Sequence, residues 1–281
     1  MAGSTTSTLN DLLPSIVAEA MFVANERSIM RGLVKNFSIP AGNGKTVTVP
    51  IYPTQTAAAL TEGDEASNTA VSTDGVTLTV STVAIRTIVT DLVRASAASN
   101  VVADLGRLFG EAIAKKIDQD LIGLFSGFSV GVGDNATALS AATIAQAVAR
   151  LRANAVPSDA LACVVNPYVA YDLKSNLTNT FANPNAGIIQ NEAMQMGYVG
   201  SLFGVPVFES SNIANTGTAG DYVGAVFHRD ALGLAMIGDI SIETQRRASY
   251  VGDDVVASCH YGVGEIYDGY GVKVTADSSL L

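Results

Sequence analysis

The chain has 281 residues, 48% of them hydrophobic and only 15% charged, with a formal net charge of −10. Charged residues fall well below the ~25% usual for soluble globular domains, so much of the surface is suited to protein contact and a monomeric life is disfavoured. The acidic balance argues against tight sequence-independent binding of nucleic acid, which relies on Lys and Arg neutralising phosphates; no apolar run reaches the ~18 residues of a membrane span, and no basic-then-apolar signal opens the chain, which together point to a soluble product made in a cytoplasm.

In chain order, residues 1–44 read as an N-terminal arm, mostly helical from Asp11, with Pro14 tolerated in the first turn. Arg27, Arg31 and Lys35 would share one face of that helix, either solvated or in contact with a partner. Residues 41–44 form the turn that launches a long arm, with Gly42 and Gly44 supplying positive φ.

Residues 45–92 read as an extended hairpin. Val47, Val49 and Ile51 alternate with Thr46, Thr48 and Pro50, and Val76, Leu78 and Val80 with Thr77, Thr79 and Ser81. Between the strands lies a polar stretch holding Glu62, Asp64 and Glu65, without apolar periodicity, and therefore a tip. A two-stranded ribbon is marginal in water, so an arm of this length needs a surface to lie on, here expected on another subunit.

A long amphipathic helix follows from Asn100 to Leu124, its stripe formed by Val101, Leu105, Leu108, Phe109, Ala112, Ile113, Ile117, Leu121 and Leu124. Asn100 suits an N-cap and Asp104 the first turn, while Arg107, Glu111 and Lys115 stand four apart on the opposite side. Beyond it the pattern predicts helices over 143–153 and 168–175, and strands over 161–165, near 205–208 and 222–227, and over 240–243 and 247–259.

The chemistry-bearing residues are few. Cys163 and Cys259 lie in apolar, strand-like runs and read as buried free thiols, and neither they nor His228 and His260 have the spacing of a zinc site. Gly127-Phe128-Ser129-Val130-Gly131 matches a hydrolase nucleophile elbow, and an Asp then a His follow in the right order, but a helix precedes the Ser where a strand is required. Gly131 to Ala136 satisfies a loose dinucleotide pattern without its leading strand or distal acid, and Gly44-Lys45-Thr46 ends like a phosphate loop but runs into a strand.

One family carries these pieces in order. The acidic hairpin tip, the returning strand and "ADLGRLFGEAIAKKIDQDLI" closely resemble the extended loop and spine helix of tailed-bacteriophage major capsid proteins, the Hong Kong 97-type fold. "ALACVVNPYVAYDLKS" resembles that family's strand, Asn-Pro break and short helix, and "GSLFGVPVFESSNI" its glycine turn into a Val-Pro-Val strand. "GAVFHRDALGLAM" and "ISIETQRRASYVGDDVVASCHYGVGEIYDGYGVKV" are similar to its closing strands.

The resemblance implies an α+β fold with an N-terminal arm (1–44), an extended β-hairpin loop (45–92), a peripheral domain with the spine helix (93–140 plus 240–281) and an axial domain (141–239). It implies a virion capsid protein, assembled in the host cytoplasm as pentamers and hexamers, that encloses double-stranded DNA without sequence-specific binding, with no cofactor, metal or membrane and no reaction catalysed. Portal, scaffold and decoration proteins are the implied partners. No Lys occurs between Lys45 and Lys115, so a hairpin lysine cross-link is not expected, and with no scaffolding-type helix before Asn10 a separate scaffold, or none, is expected. Glu62, Asp64 and Glu65 at the tip are either a solvated acid run or candidates for contact between subunits, docking onto Arg107, Lys115 or Lys116 of a neighbour's helix. An encapsulin-like compartment is the alternative within the fold, and a serine hydrolase at Ser129 the alternative outside it.

Overall fold

The computed structural model describes residues 29–280, apart from 41, 53–54, 56, 58, 61, 64, 66–70, 72, 97–100, 181–200 and 217–219. Most of the expected N-terminal helix, with Arg27, therefore lies outside the described residues, as do Asn100 and Asp64.

Two sheets form the body. The first begins with strand β1 (Lys35–Ser38), which follows a short helix α1 (Met30–Leu33). After the hairpin strands β2 (Thr46–Ile51) and β3 (Asp74–Thr79), strand β4 (Ser81–Thr90) turns into this sheet and leads to helix α2 (Asp91–Ser96) and the long helix α3 (Val101–Gly123). Strand β5 (Gly131–Ala138), helix α4 (Ala141–Ala153), strand β6 (Leu161–Val165) and helix α5 (Pro167–Thr180) come next. The chain closes through β7 (Ser201–Leu202), β8 (Val205–Glu209), β9 (Asp221–His228), β10 (Leu232–Met236), β11 (Ser241–Arg247), β12 (Gly252–Glu265) and β13 (Gly271–Asp277).

The first sheet runs β1-β10-β12-β11, with β4 along the other side of β12, and the second runs β5-β13-β9-β6-β8-β7. These sheets draw strands across the sequence boundaries: β5 and β13 come from stretches grouped with the peripheral part, and β10 from the stretch grouped with the axial part. Strand partnership is set by contacts far apart in sequence, and local periodicity carries no record of it.

Helix α3 is amphipathic as its spacing predicts. Phe109, Ile113, Ile117 and Leu121, each four residues after the last, form a buried ridge, with Gly106, Gly110, Ala114 and Asp118 beside it. The helix crosses β4 and β12, where the buried Tyr261 hydroxyl donates to Asp120 Oδ2 at 2.7 Å and Lys116 Nζ binds Asp120 Oδ1 at 2.7 Å. Burial and the adjacent Asp120 raise the Tyr261 phenol above its ordinary value. Leu108 departs from the expected stripe: it is 58% exposed, because the ridge through Phe109 is narrower than the apolar count suggested.

Two further expectations change. Lys35 does not extend the face of Arg27 and Arg31; Val34 is extended, Lys35 opens β1 in parallel pairing with β10, and its ammonium meets Asp230 at 3.0 Å. Residues 131–136, which satisfied the loose dinucleotide pattern and were not expected to form a strand, make up most of β5, because β13 offers a parallel partner from Gly131 to Gly133.

At the far end of the first sheet, Arg86 holds the buried Asp254 with two nitrogens, at 2.8 to 3.1 Å, while Arg247 approaches Asp254 at 3.6 Å. A buried carboxylate stripped of its main partner is costly, and the remaining Arg247 and the half-exposed position of Arg86 moderate the loss. Arg86→Ala is expected to destabilise the chain by about 2 kcal/mol in urea unfolding, with Arg86→Lys recovering only part because the two-pronged geometry is lost.

Candidate assembly surfaces

The hairpin has two environments. At its root, Leu78 of β3 is 2% exposed and sits over Gly233 of β10 and Gly264 of β12, which face each other in the sheet register. A Cβ on Gly264 would stand 2.5 Å from Leu78 Cδ2, and one on Gly233 2.9 Å from Leu78 Cδ1. The two glycines are therefore a socket cut to the side chain. A Cβ on Gly262, also in β12, would meet the Thr79 carbonyl oxygen at 2.2 Å. Ile39, Val80 and Ala235 complete a small core with Leu78, separate from the main one, and the Val80 N–H donates to the Lys45 carbonyl at 2.8 Å.

Beyond the root the ribbon leaves the body. The register pairs Val47 with Leu78, Val49 with Val76 and Ile51 with Asp74, and one face of β2 is only half-buried along its length. Further out, Tyr52, Leu60 and Val71 are 66%, 60% and 56% exposed. Apolar side chains this bare beyond the root are candidates for cover by another molecule. Glu62 and Glu65 are exposed beside the turn at Gly63, as expected for the tip.

The three basic residues assigned as its docking partners lie on α3. Arg107, Lys115 and Lys116 are all exposed, but Lys116 is engaged by Asp120 of its own helix. Leu108, bare beside Arg107, was not among the residues assigned to contact.

A second bare region sits at the corner of the first sheet. The Asp91 N–H donates to the Val251 carbonyl at 3.0 Å, bringing the exposed Leu92 near the exposed Tyr250 and Val251. Val251 has φ +47, a left-handed conformation that a β-branched residue adopts only under strain. Arg247 lies over the Tyr250 ring at 5.3 Å, and Arg246 binds Asp91 through two 2.6 Å hydrogen bonds that raise its already high pKa.

The chemical groups singled out by sequence are engaged elsewhere. Cys163 and Cys259 are buried free thiols, and burial pushes Cys163 up to about 12 and raises Cys259. His228 Nδ1 accepts from the Asp230 N–H at 3.2 Å, and His260 Nδ1 lies 2.9 Å from Thr82 Oγ1. Ser129 follows a 3-10 turn, Leu124–Gly127, and runs into β5, the reverse of the strand-then-helix setting of a nucleophile elbow; its hydroxyl donates to Asp268. Among the described residues no group of three or more His, Cys, Asp or Glu is placed to hold a metal ion, and no helix is long and apolar enough to cross a membrane.

A two-sheet body crossed by one long helix, with a projecting ribbon and bare apolar patches, defines a protein that builds structure with its surfaces. Residues 75–274 match the model of the phage capsid protein family, and the chain belongs to that family. Its fold is shared with the solved structure of Mycobacterium phage Che8, at TM-score 0.70 and 22% identity over 88% of this chain and 90% of that one. The capsid structure of cyanophage P-SCSP1u is similar at TM-score 0.68 and 18% identity, over 90% and 89% of the two chains. The capsid of a native GTA particle is similar at TM-score 0.67 and 12% identity, over 90% and 91%. The sequence matches none of the curated proteins with which it was compared.

Proposed function

We propose that copies of this chain assemble as pentamers and hexamers into an icosahedral shell that encloses a double-stranded DNA phage genome, each copy covering its neighbours' hairpins. The observation that carries this reading is the hairpin itself, rooted in a glycine socket yet exposing Tyr52, Leu60 and Val71 beyond it. Many modest contacts repeated around closed symmetry sum to a stable shell, and no reaction is needed. An arm, a hairpin loop, and peripheral and axial parts serve in this assembly, with β5 and β13 counted to the sheet of the axial part and β10 to that of the peripheral part, and with scaffold, portal and decoration proteins as partners in the virion.

Within that assembly, the tip residues Glu62, Asp64 and Glu65 dock against a neighbour's α3 at Arg107, Lys115 or Lys116, the last of which also binds Asp120 of its own helix. Reversing all three acids to Lys is expected to block assembly or lower its salt tolerance, read by sedimentation across a salt series; normal particles with unchanged tolerance would remove the tip from the interface. The enclosed cargo is tested separately, by treating purified particles with nuclease and extracting what is protected. Genome-length double-stranded DNA is expected. A protected cargo enzyme without DNA would favour the compartment reading instead.

A further inference from the structure

The turn between β1 and β2 is pinned at both ends and open in the middle. Before it, the Ile39 N–H donates to the Met236 carbonyl at 2.9 Å, and after it the Lys45 carbonyl accepts from the Val80 N–H at 2.8 Å. Within it, the Asn43 N–H donates to the Pro40 carbonyl at 3.2 Å, closing a bend, and residues 42–45 are all exposed. Gly42 and Gly44 stand on either side of Asn43 with φ +96 and φ +83, and a Cβ on either would meet nothing within 4 Å. Among the described residues, nothing holds the Asn43 carboxamide and nothing accepts from the Gly44 N–H.

We propose that Asn43 is a self-modification site, at which the chain converts through a cyclic imide to aspartate and isoaspartate with water as the co-reactant. The Gly44 nitrogen, once its proton has passed to base, attacks the side-chain carbonyl carbon of Asn43. A C–N bond closes a small ring, the bond from that carbon to Nδ2 breaks, and ammonia leaves with a proton in place of the one given up. Water then adds to either ring carbonyl. Opening at the side-chain carbonyl gives aspartate, and opening at the backbone carbonyl gives isoaspartate, whose chain runs on through the former side chain. One ammonia is released, one water is consumed, and nothing is oxidised or reduced.

Ring closure needs an unshielded nitrogen, a backbone free to bend and a carboxamide not held elsewhere. Asn43-Gly44 is the only Asn-Gly step in the sequence, and glycine brings neither a shielding Cβ nor a restricted φ. Other asparagines fail on one count or more. Asn166 precedes Pro167, which has no N–H to attack with, and its Nδ2 donates to the Ile213 carbonyl at 3.0 Å. Asn36 is held in β1 opposite Leu234, precedes Phe37, and gives its Nδ2 to the Arg31 carbonyl at 2.9 Å. Asn154 and Asn176 likewise donate, to the Gly269 and Leu139 carbonyls.

The position gives the product its effect. Either product sets a carboxylate two residues from Lys45, whose carbonyl anchors Val80 at the hairpin root. Isoaspartate also inserts one extra backbone atom into the turn that joins β1 to the hairpin.

The test incubates the full-length chain in water enriched in heavy oxygen at about pH 8, digests it with trypsin in ordinary water, and reads the peptide Asn36–Lys45 by mass spectrometry. That peptide holds both Asn36 and Asn43, so every molecule carries its own control. The expected result is a gain of about 3 Da placed on Asn43 by fragmentation, in two separable forms, accumulating at least about tenfold faster than any gain on Asn36. Gly44→Ala is expected to slow the gain about tenfold, because the new methyl shields the nitrogen and its residue resists the positive φ. A gain of about 1 Da alone would place the conversion in the digest and not in the folded chain. That result, equal rates at Asn43 and Asn36, or an unchanged rate in Gly44→Ala would each overturn the proposal.

Discussion

Leu78→Ala is expected to lower the unfolding free energy by about 3 kcal/mol, and to abolish or badly impair particle formation. The side chain is almost wholly buried, and its socket is floored by Gly233 and Gly264, which have no atoms with which to follow a shrinking neighbour. The hole left behind adds to the lost burial, as in other large-to-small core changes. Because Leu78 belongs to a small core apart from the main one, the first consequence is a loosened hairpin root. Urea unfolding checks the energy, and limited proteolysis within residues 53–73, faster than in the unaltered chain, checks the place.

Gly262→Ala approaches the same root from the sheet. Its new Cβ would stand 2.2 Å from the Thr79 carbonyl oxygen and 2.7 Å from the Thr79 carbonyl carbon, which are backbone atoms that no rotamer change can move aside. Either β12 or the β3–β4 junction must shift, at a cost of about 3 kcal/mol in the same urea measurement. Gly264→Ala, whose clash is chiefly with the end of the Leu78 side chain at 2.5 Å, is expected to cost visibly less. If the two glycine variants were equally mild, the close seating of β3 on β12 would be wrong.

These two cases also show what the sequence could and could not tell. The hairpin strands, α3, α4 and β6 were legible because each carries its own period: alternation in β2 and β3, a four-residue ridge through Phe109, Ile113 and Ile117, and an unbroken apolar run at Leu161–Val165. Strands β1 and β5 were not legible. Lys35–Ser38 is too short to show alternation, and Gly131–Ala138 is mostly exposed and is a strand because β13 lies beside it. Leu108 lies outside the narrow ridge through Phe109, and the width of that ridge is not readable from a count along one helix.

The exposed charges proposed for assembly were legible as charges, and their surroundings were not. The acidic tip and the basic face of α3 could be named from charge alone, although Asp64 lies outside the described residues and Lys116 proves to be bound within its own helix. The glycine socket was missed, yet it had left a signal. Gly262 and Gly264 fall on alternate positions near the end of β12, either side of Val263, which is how a strand reads when another segment lies close against one of its faces. The corner at Tyr250 and Val251 had no such signal, because the left-handed turn there is made without a glycine.

The account depends on a chain whose hairpin finds its cover on other copies of itself. Purifying the full-length chain alone, raising its concentration, and following it by sedimentation with electron microscopy of the same sample tests this directly. The account predicts closed shells, or the rings of five and six that build them. A compact 28.9 kDa species that persists at high concentration would contradict it.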